Sequence, residues 1–195
     1  MQNILNLLTD KEKQLVINKK CHKDEILFHE DDLCESIGVV VEGNIDIVSY
    51  SFSGKEILYN SLGKNEIFGN NLVFSDSPKY RGNIICKEES VVAIIKKDSL
   101  VQILQNNQQF LLEYLKIQSN FGKSLNSKIK LLSFNNAVDR FDYFLYINGN
   151  KIRYKNVADL ARTLYIERET LSRLLSTLEK QGVIHRDKHL IVKLV

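Results

Sequence analysis

The chain has 195 residues, of which 44% are hydrophobic and 26% charged, with 27 Lys and Arg set against 24 Asp and Glu. That much apolar side chain fills one large core or two small ones and excludes a disordered chain, while a formal charge of +3 excludes a polycation that coats nucleic acid without specificity. Cys21, Cys34 and Cys86 are odd in number and widely spaced, which speaks against a disulfide framework or a zinc ribbon. No run approaches the roughly 18 apolar residues of a membrane span. Met1 to Asp10 lacks the basic flank and long apolar run of a secretion signal, so the expectation is a cytoplasmic protein with no membrane partner. Divided along the chain, the formal charge is −4 over residues 1–106, +3 over 107–134 and +4 over 135–195.

Glycine is concentrated in the first of these parts, between short β-branched runs: Ile37 to Glu42, Ile45 to Tyr50, Glu56 to Asn60 and Ser90 to Ile95. Strands spaced by about ten residues, with no crossover helix between them, predict an antiparallel barrel or sandwich. Ser53-Gly54 predicts a hairpin turn. Asp98 is positioned to cap a helix over Ser99 to Gln105. From Asn107 to about Ser133, Phe110, Tyr114, Ile117, Phe121, Leu125, Ile129 and Leu132 recur at steps of three and four, the period of one long helix. Such a helix can lie against the barrel, or can form a seam with a second copy through Tyr114, Ile117, Phe121, Leu125 and Ile129; opposite faces of one helix can do both.

Beyond it, a helix over Asn136 to Tyr146 and a strand at Lys151 to Tyr154 precede the most informative segment. Asn156 can cap a helix Val157 to Leu164, Tyr165-Ile166 makes a turn, and a second helix runs from Glu167 to Gln181, ended by Gly182. Val183 to Arg186 and His189 to Leu194, joined at Asp187-Lys188, predict a terminal hairpin. Helix, turn, helix and hairpin make a winged helix-turn-helix. Leu171, Leu174, Leu175 and Leu178 mark the core side of the second helix, leaving Arg168, Glu169, Thr170, Ser172 and Arg173 toward its free side and start. A helix that reads double-stranded DNA needs such a face, because Arg pairs with guanine O6 and N7 and Glu accepts from cytosine N4. Thr170 and Thr163 can donate to phosphates, and Lys155, Arg162 and Lys180 add contacts that release counterions.

Residues 167–184 resemble the recognition helix of the Crp/Fnr transcription regulators, with Arg168, Glu169 and Arg173 at the base-reading positions. Lys23 to Asp32, Val41 to Ile45, Ser53 to Glu56 and Leu62-Gly63 with Ile67 to Gly69 are similar to successive strands and turns of that family's cyclic-nucleotide-binding barrel. The resemblance implies an α+β chain of two domains, an N-terminal antiparallel jelly-roll barrel over 1–106 and a winged helix-turn-helix over 135–195, joined by a long dimerisation helix over 107–134. It further implies a homodimer on a palindromic operator, with RNA polymerase as a further candidate partner. Two positions depart: Tyr165 stands where the family often has a turn glycine, and Glu167 where a Ser or Thr cap is usual.

The resemblance also locates an effector site at Gly69, Asn70, Arg81 and Gly82. Asn70 stands where the family has a ribose-binding carboxylate, and Gly82 where it has a phosphate-binding hydroxyl; Leu125 and Asn126 fall where cyclic AMP binders present hydroxyls to the adenine. The expectation is therefore a weak or absent cyclic AMP response, no certain cofactor, and room for another small-molecule effector held by Arg81, whose alternative role is a barrel-surface cation or the partner of a carboxylate such as Glu66. No metal site and no catalytic group are recognisable, so an enzyme is not expected. A small-molecule sensor whose DNA binding has degenerated at Tyr165 is the competing reading.

Overall fold

The computed structural model describes Asn3–Leu194 and divides into two compact units, residues 1–120 and 121–195. The first opens with a 3-10 turn over Ile4–Leu7, capped by Asn3, and a short helix α1 (Asp10–Lys13), closed by a reciprocal cap between Thr9 and Glu12. Eight strands follow: β1 (Val16–Cys21), β2 (Ile26–Phe28), β3 (Ser36–Glu42), β4 (Ile45–Tyr50), β5 (Glu56–Leu62), β6 (Ile67–Phe68), β7 (Asn83–Cys86) and β8 (Ser90–Lys96). They form two four-stranded sheets, in the orders β1-β8-β3-β6 and β2-β7-β4-β5, with antiparallel pairs throughout. Ile37, Val39, Ala93 and Ile95 from one sheet join Ile45, Leu62, Ile84 and Cys86 from the other in a single core, the double-sheet solution to burying one face of each sheet.

The expected strands are present, and the Ser53-Gly54 turn closes the β4–β5 hairpin with Gly54 at φ 77°. β1 was not foreseen from composition. It is an edge strand whose middle is largely solvent-facing, so its residues lack an apolar signature. β7 was missed because it is only four residues long.

Helix α2 (Lys97–Asn106) corrects one expectation: it begins before Asp98, with Lys96 at its N-cap and no side-chain capping bond, so Asp98 lies within its first turn. Helix α3 spans Gln108–Ser133. Asn107 anchors its start, accepting from Phe110 N at 3.0 Å while its amide donates to Leu7 O and Glu12 Oε2, both at 2.9 Å.

The second unit contains α4 (Ala137–Ile147), β9 (Lys151–Arg153), α5 (Val157–Leu164), α6 (Arg168–Lys180), β10 (Ile184–Asp187) and β11 (Leu190–Lys193). Asn136 and Asn156 cap α4 and α5 by accepting from Asp139 N and Asp159 N. The three strands pair antiparallel in the order β10-β11-β9. Phe141, Leu145, Ile152, Leu160, Leu164, Leu171, Leu175, Ile184 and Ile191 fill the core. Among the described residues no helix is long and apolar enough to cross a membrane.

Candidate nucleic-acid interface

The turn between α5 and α6 carries the backbone strain that its sequence implies. Tyr165 lies in the left-handed region at φ 54°, ψ 42°, a conformation costing an ordinary L-residue roughly 1–2 kcal/mol. The surrounding chain compensates. Ile166 N donates to Ala161 O at 3.0 Å, and the Arg140 guanidinium donates through Nη1 to Tyr165 O at 2.6 Å and through Nε to Phe134 O at 3.0 Å. A charged donor on an otherwise open turn carbonyl is worth more than a neutral one, so the turn forms without glycine.

This turn sets α6 with Leu171 and Leu175 buried and Arg168, Glu169, Thr170, Ser172 and Arg173 exposed. Arg168, Glu169, Ser172 and Arg173 line one open groove of about 400 Å³. Glu169 and Arg173 form an i,i+4 ion pair at 3.3 Å, both ends solvent-facing. Such a pair is worth at most ~1 kcal/mol, so either partner is easily released to a base edge. Arg168 makes no ion pair among the described residues. Glu167 caps α6 without a side-chain hydrogen bond, which leaves the first-turn amides of the helix available to a phosphate.

A second cleft, of about 610 Å³, brings together the start of α5, the start of α6 and the β10–β11 hairpin. Tyr154, Lys155, Asn156, Arg168, Lys188 and His189 line it, with the His189 ring edge-on to Tyr154 at 6.5 Å. Sequence reasoning found Lys155 as one basic residue among several. It missed Lys188 and His189, because only the folded hairpin brings them beside Lys155 and Arg168. Conversely, Thr163 has its hydroxyl committed to Asp159 O at 2.9 Å, and Arg162 is paired with Asp159 at 2.8 Å. The hairpin is tied to the far end of α6 by Arg186, which donates through Nε to Glu179 at 2.8 Å and holds the Glu179 carboxyl below its ordinary value.

Of the four residues expected around an effector, Gly69, Asn70 and Gly82 are closely packed or bonded within the fold, and Arg81 stands free among the described residues. Gly69, at φ +75°, sits where a Cβ would come within 2.7 Å of Ser36 O. Gly82 faces the β4–β5 hairpin so closely that a Cβ would lie 2.8 Å from Val48 O and 3.3 Å from the Tyr59 ring, so a hydroxyl-bearing residue does not fit. Asn70 is buried, its amide donating to Gln118 Oε1 at 2.6 Å. Arg81 is exposed and unpaired among the described residues, which fits a cation on the barrel surface, and Glu66 accepts instead from Gly63 N, so the alternative Arg81–Glu66 pair is not formed. One residue beyond Gly82, Asn83 accepts from Glu30 N, and the Glu30 carboxylate accepts from Ser49 Oγ at 2.7 Å, placing negative charge beside this region.

Along α3 the expected seam splits. Phe110 and Tyr114 are buried in the barrel core and Ile117 packs against it, so Tyr114 is withdrawn from any open seam. Burial pushes the Tyr114 phenol up to about 12. Phe121 is half-buried, whereas Leu125 and Ile129 are exposed, Ile129 to 66%. Leu112 (60% exposed), Leu115 and Leu132 are exposed apolar positions as well, and Leu112 and Leu115 fell outside the predicted stripe. The three cysteines are buried, and burial raises the thiols of Cys34 and Cys86. No group of three His, Cys, Asp or Glu converges on a metal-sized site among the described residues.

Residues 18–107 match the model of the cyclic nucleotide-binding domain, and residues 149–194 that of the Crp-like helix-turn-helix domain. The anaerobic regulatory protein of Bacillus subtilis is 28% identical over 186 residues, covering 87% of this chain and 76% of that protein. The cyclic AMP receptor protein of Thermus thermophilus is 25% identical over 170 residues, covering 81% and 74%. Among solved structures, a CooA mutant from Carboxydothermus hydrogenoformans aligns with a TM-score of 0.74 at 19% identity, covering 98% of this chain and 90% of that one.

Proposed function

The chain belongs to the Crp/Fnr family of DNA-binding transcription regulators, and on that premise we propose that it acts in the cytoplasm as a homodimer on a two-fold symmetric operator, without responding to cyclic AMP. The observation that carries the reading is the open α6 face of Arg168, Glu169, Ser172 and Arg173, flanked by the cleft of Lys155, Arg168 and Lys188. The first offers donors and an acceptor to base edges, and the second offers cations to the phosphate backbone. Tyr165 does not count against it, since the left-handed turn is formed and held by Arg140. The family's members are regulators and not enzymes.

Dimerisation through α3 is supported by exposed Leu115, Leu125, Ile129 and Leu132, whose spacings of ten, four and three residues follow a heptad seam, with Gly122 between them open to close approach. A two-fold axis then presents two recognition helices to two half-sites. Cyclic AMP lacks partners here: Asn70 is engaged, Gly82 excludes a hydroxyl-bearing side chain and Glu30 adds a carboxylate. Control by a different small-molecule effector held by Arg81 is the competing reading of this domain, and RNA polymerase is a candidate partner.

The test is selection of bound genomic fragments, followed by titration of the recovered site against scrambled DNA. A palindromic consensus, bound by two chains per site and unaffected by cyclic AMP, is expected. Equal affinity for all sequences overturns the assignment of base reading to α6, and a cyclic AMP-dependent gain in affinity overturns the effector part alone.

A further inference from the structure

Between the barrel and the part of α3 seated on it, one buried polar cluster has no role in DNA contact. Asn70, 4% exposed at the turn after β6, donates from its amide to Gln118 Oε1 at 2.6 Å, while Gln118 Nε2 returns a hydrogen bond to Asn70 O at 2.6 Å. Tyr114, one helical turn before Gln118, donates its hydroxyl to the same carbonyl at 3.1 Å. The preceding residue is equally confined, since Cys34 Sγ donates to Gly69 O at 3.6 Å and Ser36 O leaves no space beside Gly69. In a regulator controlled by a small molecule, the ligand's unequal affinity for two arrangements selects one of them. Here the turn and the helix are joined by the chain itself, because the Gln118 side chain accepts from the Asn70 side-chain amide and donates to the Asn70 backbone carbonyl, in a part-buried setting where each bond is strengthened by its neighbours.

We propose that the Asn70–Gln118 pair, seconded by Tyr114, is a built-in substitute for an effector: it fixes the first half of α3 on the barrel, so that specific DNA binding needs no added ligand. The inference rests on the DNA-binding reading above and supplies its mode of control. Gln118→Leu leaves the buried Asn70 amide without its acceptor, and Asn70→Ala removes one of the two bonds that hold Gln118 to the turn, so each weakens operator binding by roughly ten-fold.

The experiment uses the full-length protein after exhaustive dialysis, with the selected operator, and measures both DNA affinity and amide hydrogen exchange over residues 113–120. The dialysed protein should bind the operator with an affinity unchanged by cyclic AMP or by a deproteinised cell extract. Gln118→Leu and Asn70→Ala should each weaken binding about ten-fold and raise exchange over 113–120. The double variant should lose no more than Gln118→Leu alone, because that substitution already removes both bonds, one of which, to the Asn70 backbone carbonyl, survives Asn70→Ala, and all three should still melt cooperatively. Binding that appears only after cyclic AMP or extract is added overturns the proposal, as do single variants that bind like the parent or losses that add. In each of those cases an Arg168→Ala control that still loses its base preference leaves the DNA reading intact. If no sequence is preferred by any sample and Arg168→Ala changes nothing, the DNA reading falls and the proposal with it.

Discussion

Arg168 is the side chain on which base reading and backbone attachment can be told apart, because it lines both the recognition groove and the cationic cleft. It is exposed and unpaired among the described residues, so Arg168→Ala removes no fold contact and should leave stability within about 0.5 kcal/mol of the parent. If the guanidinium pairs with a guanine, its loss costs about 1–3 kcal/mol of discrimination in each half-site, hence about 2–6 kcal/mol over a symmetric operator. Arg173→Ala should cost less, since Arg173 first gives up its 3.3 Å pair with Glu169, worth at most ~1 kcal/mol. The assay is a competition titration of parent and variant against all four base pairs at each symmetric position, repeated at several salt concentrations. The expected result is a flattened preference at one position per half-site and an unchanged log-salt slope. A uniform loss on every sequence, with the slope reduced by ~0.9 per half-site, would refute the reasoning and put Arg168 on a phosphate.

Lys155→Ala and Lys188→Ala should behave in the opposite way, weakening all sequences alike and lowering the salt slope by ~0.9 per lost phosphate contact, read from the same titrations. Arg140→Met leaves Tyr165 O and Phe134 O without their charged donor; a loss of about 2 kcal/mol in denaturant unfolding and weaker operator binding are expected. Stability should fall as pH drops below the ordinary glutamate value of 4.5. Arg186 lowers Glu179; for Glu12, burial opposes the charge, but hydrogen bonds from Thr9 and Asn107 outweigh it. Both carboxyls are thus depressed in the folded state, so their stabilisation is present above 4.5 and is lost as pH falls through the folded values. Melting curves from pH 6 down to pH 3, as a round experimental window of about three pH units, should show a shallower decline for Glu12→Gln and Glu179→Gln than for the parent.

Local pattern was sufficient wherever the signal lies within one element. The leucine spacing of α6 determined its buried side and therefore its open one, and Asn156 and Gly182 delimited the helices, whereas the wing turn falls at Lys188-His189, one residue beyond the expected Asp187-Lys188, because Asp187 pairs with Leu190 in the hairpin. The apolar β3, β4 and β8 were legible because they are core strands, whereas β1 was not, because an edge strand facing solvent needs no apolar pattern. The cap at α2 shows the same limit: an aspartate near a helix start is suited to the first turn as well as to the cap, and the chain entering from β8 decides which.

The sequence by itself determined the partition of charge, the two kinds of architecture, and the residue types at base-reading positions, since these depend on periodicity and chemistry along one element. Only the tertiary structure decided which side of α3 belongs to the barrel. Tyr114 and Leu115 are adjacent in sequence and both apolar in pattern, yet one is buried and the other open, because the barrel wall is assembled from strands dozens of residues away. The same holds for Asn70, read from the sequence as a lost ligand contact and found bonded to Gln118, and for Lys188 and His189, carried to the start of α6 by the fold of the wing. Contacts between residues far apart in sequence leave no periodic trace, because each partner meets only the ordinary demands of its own strand, turn or helix.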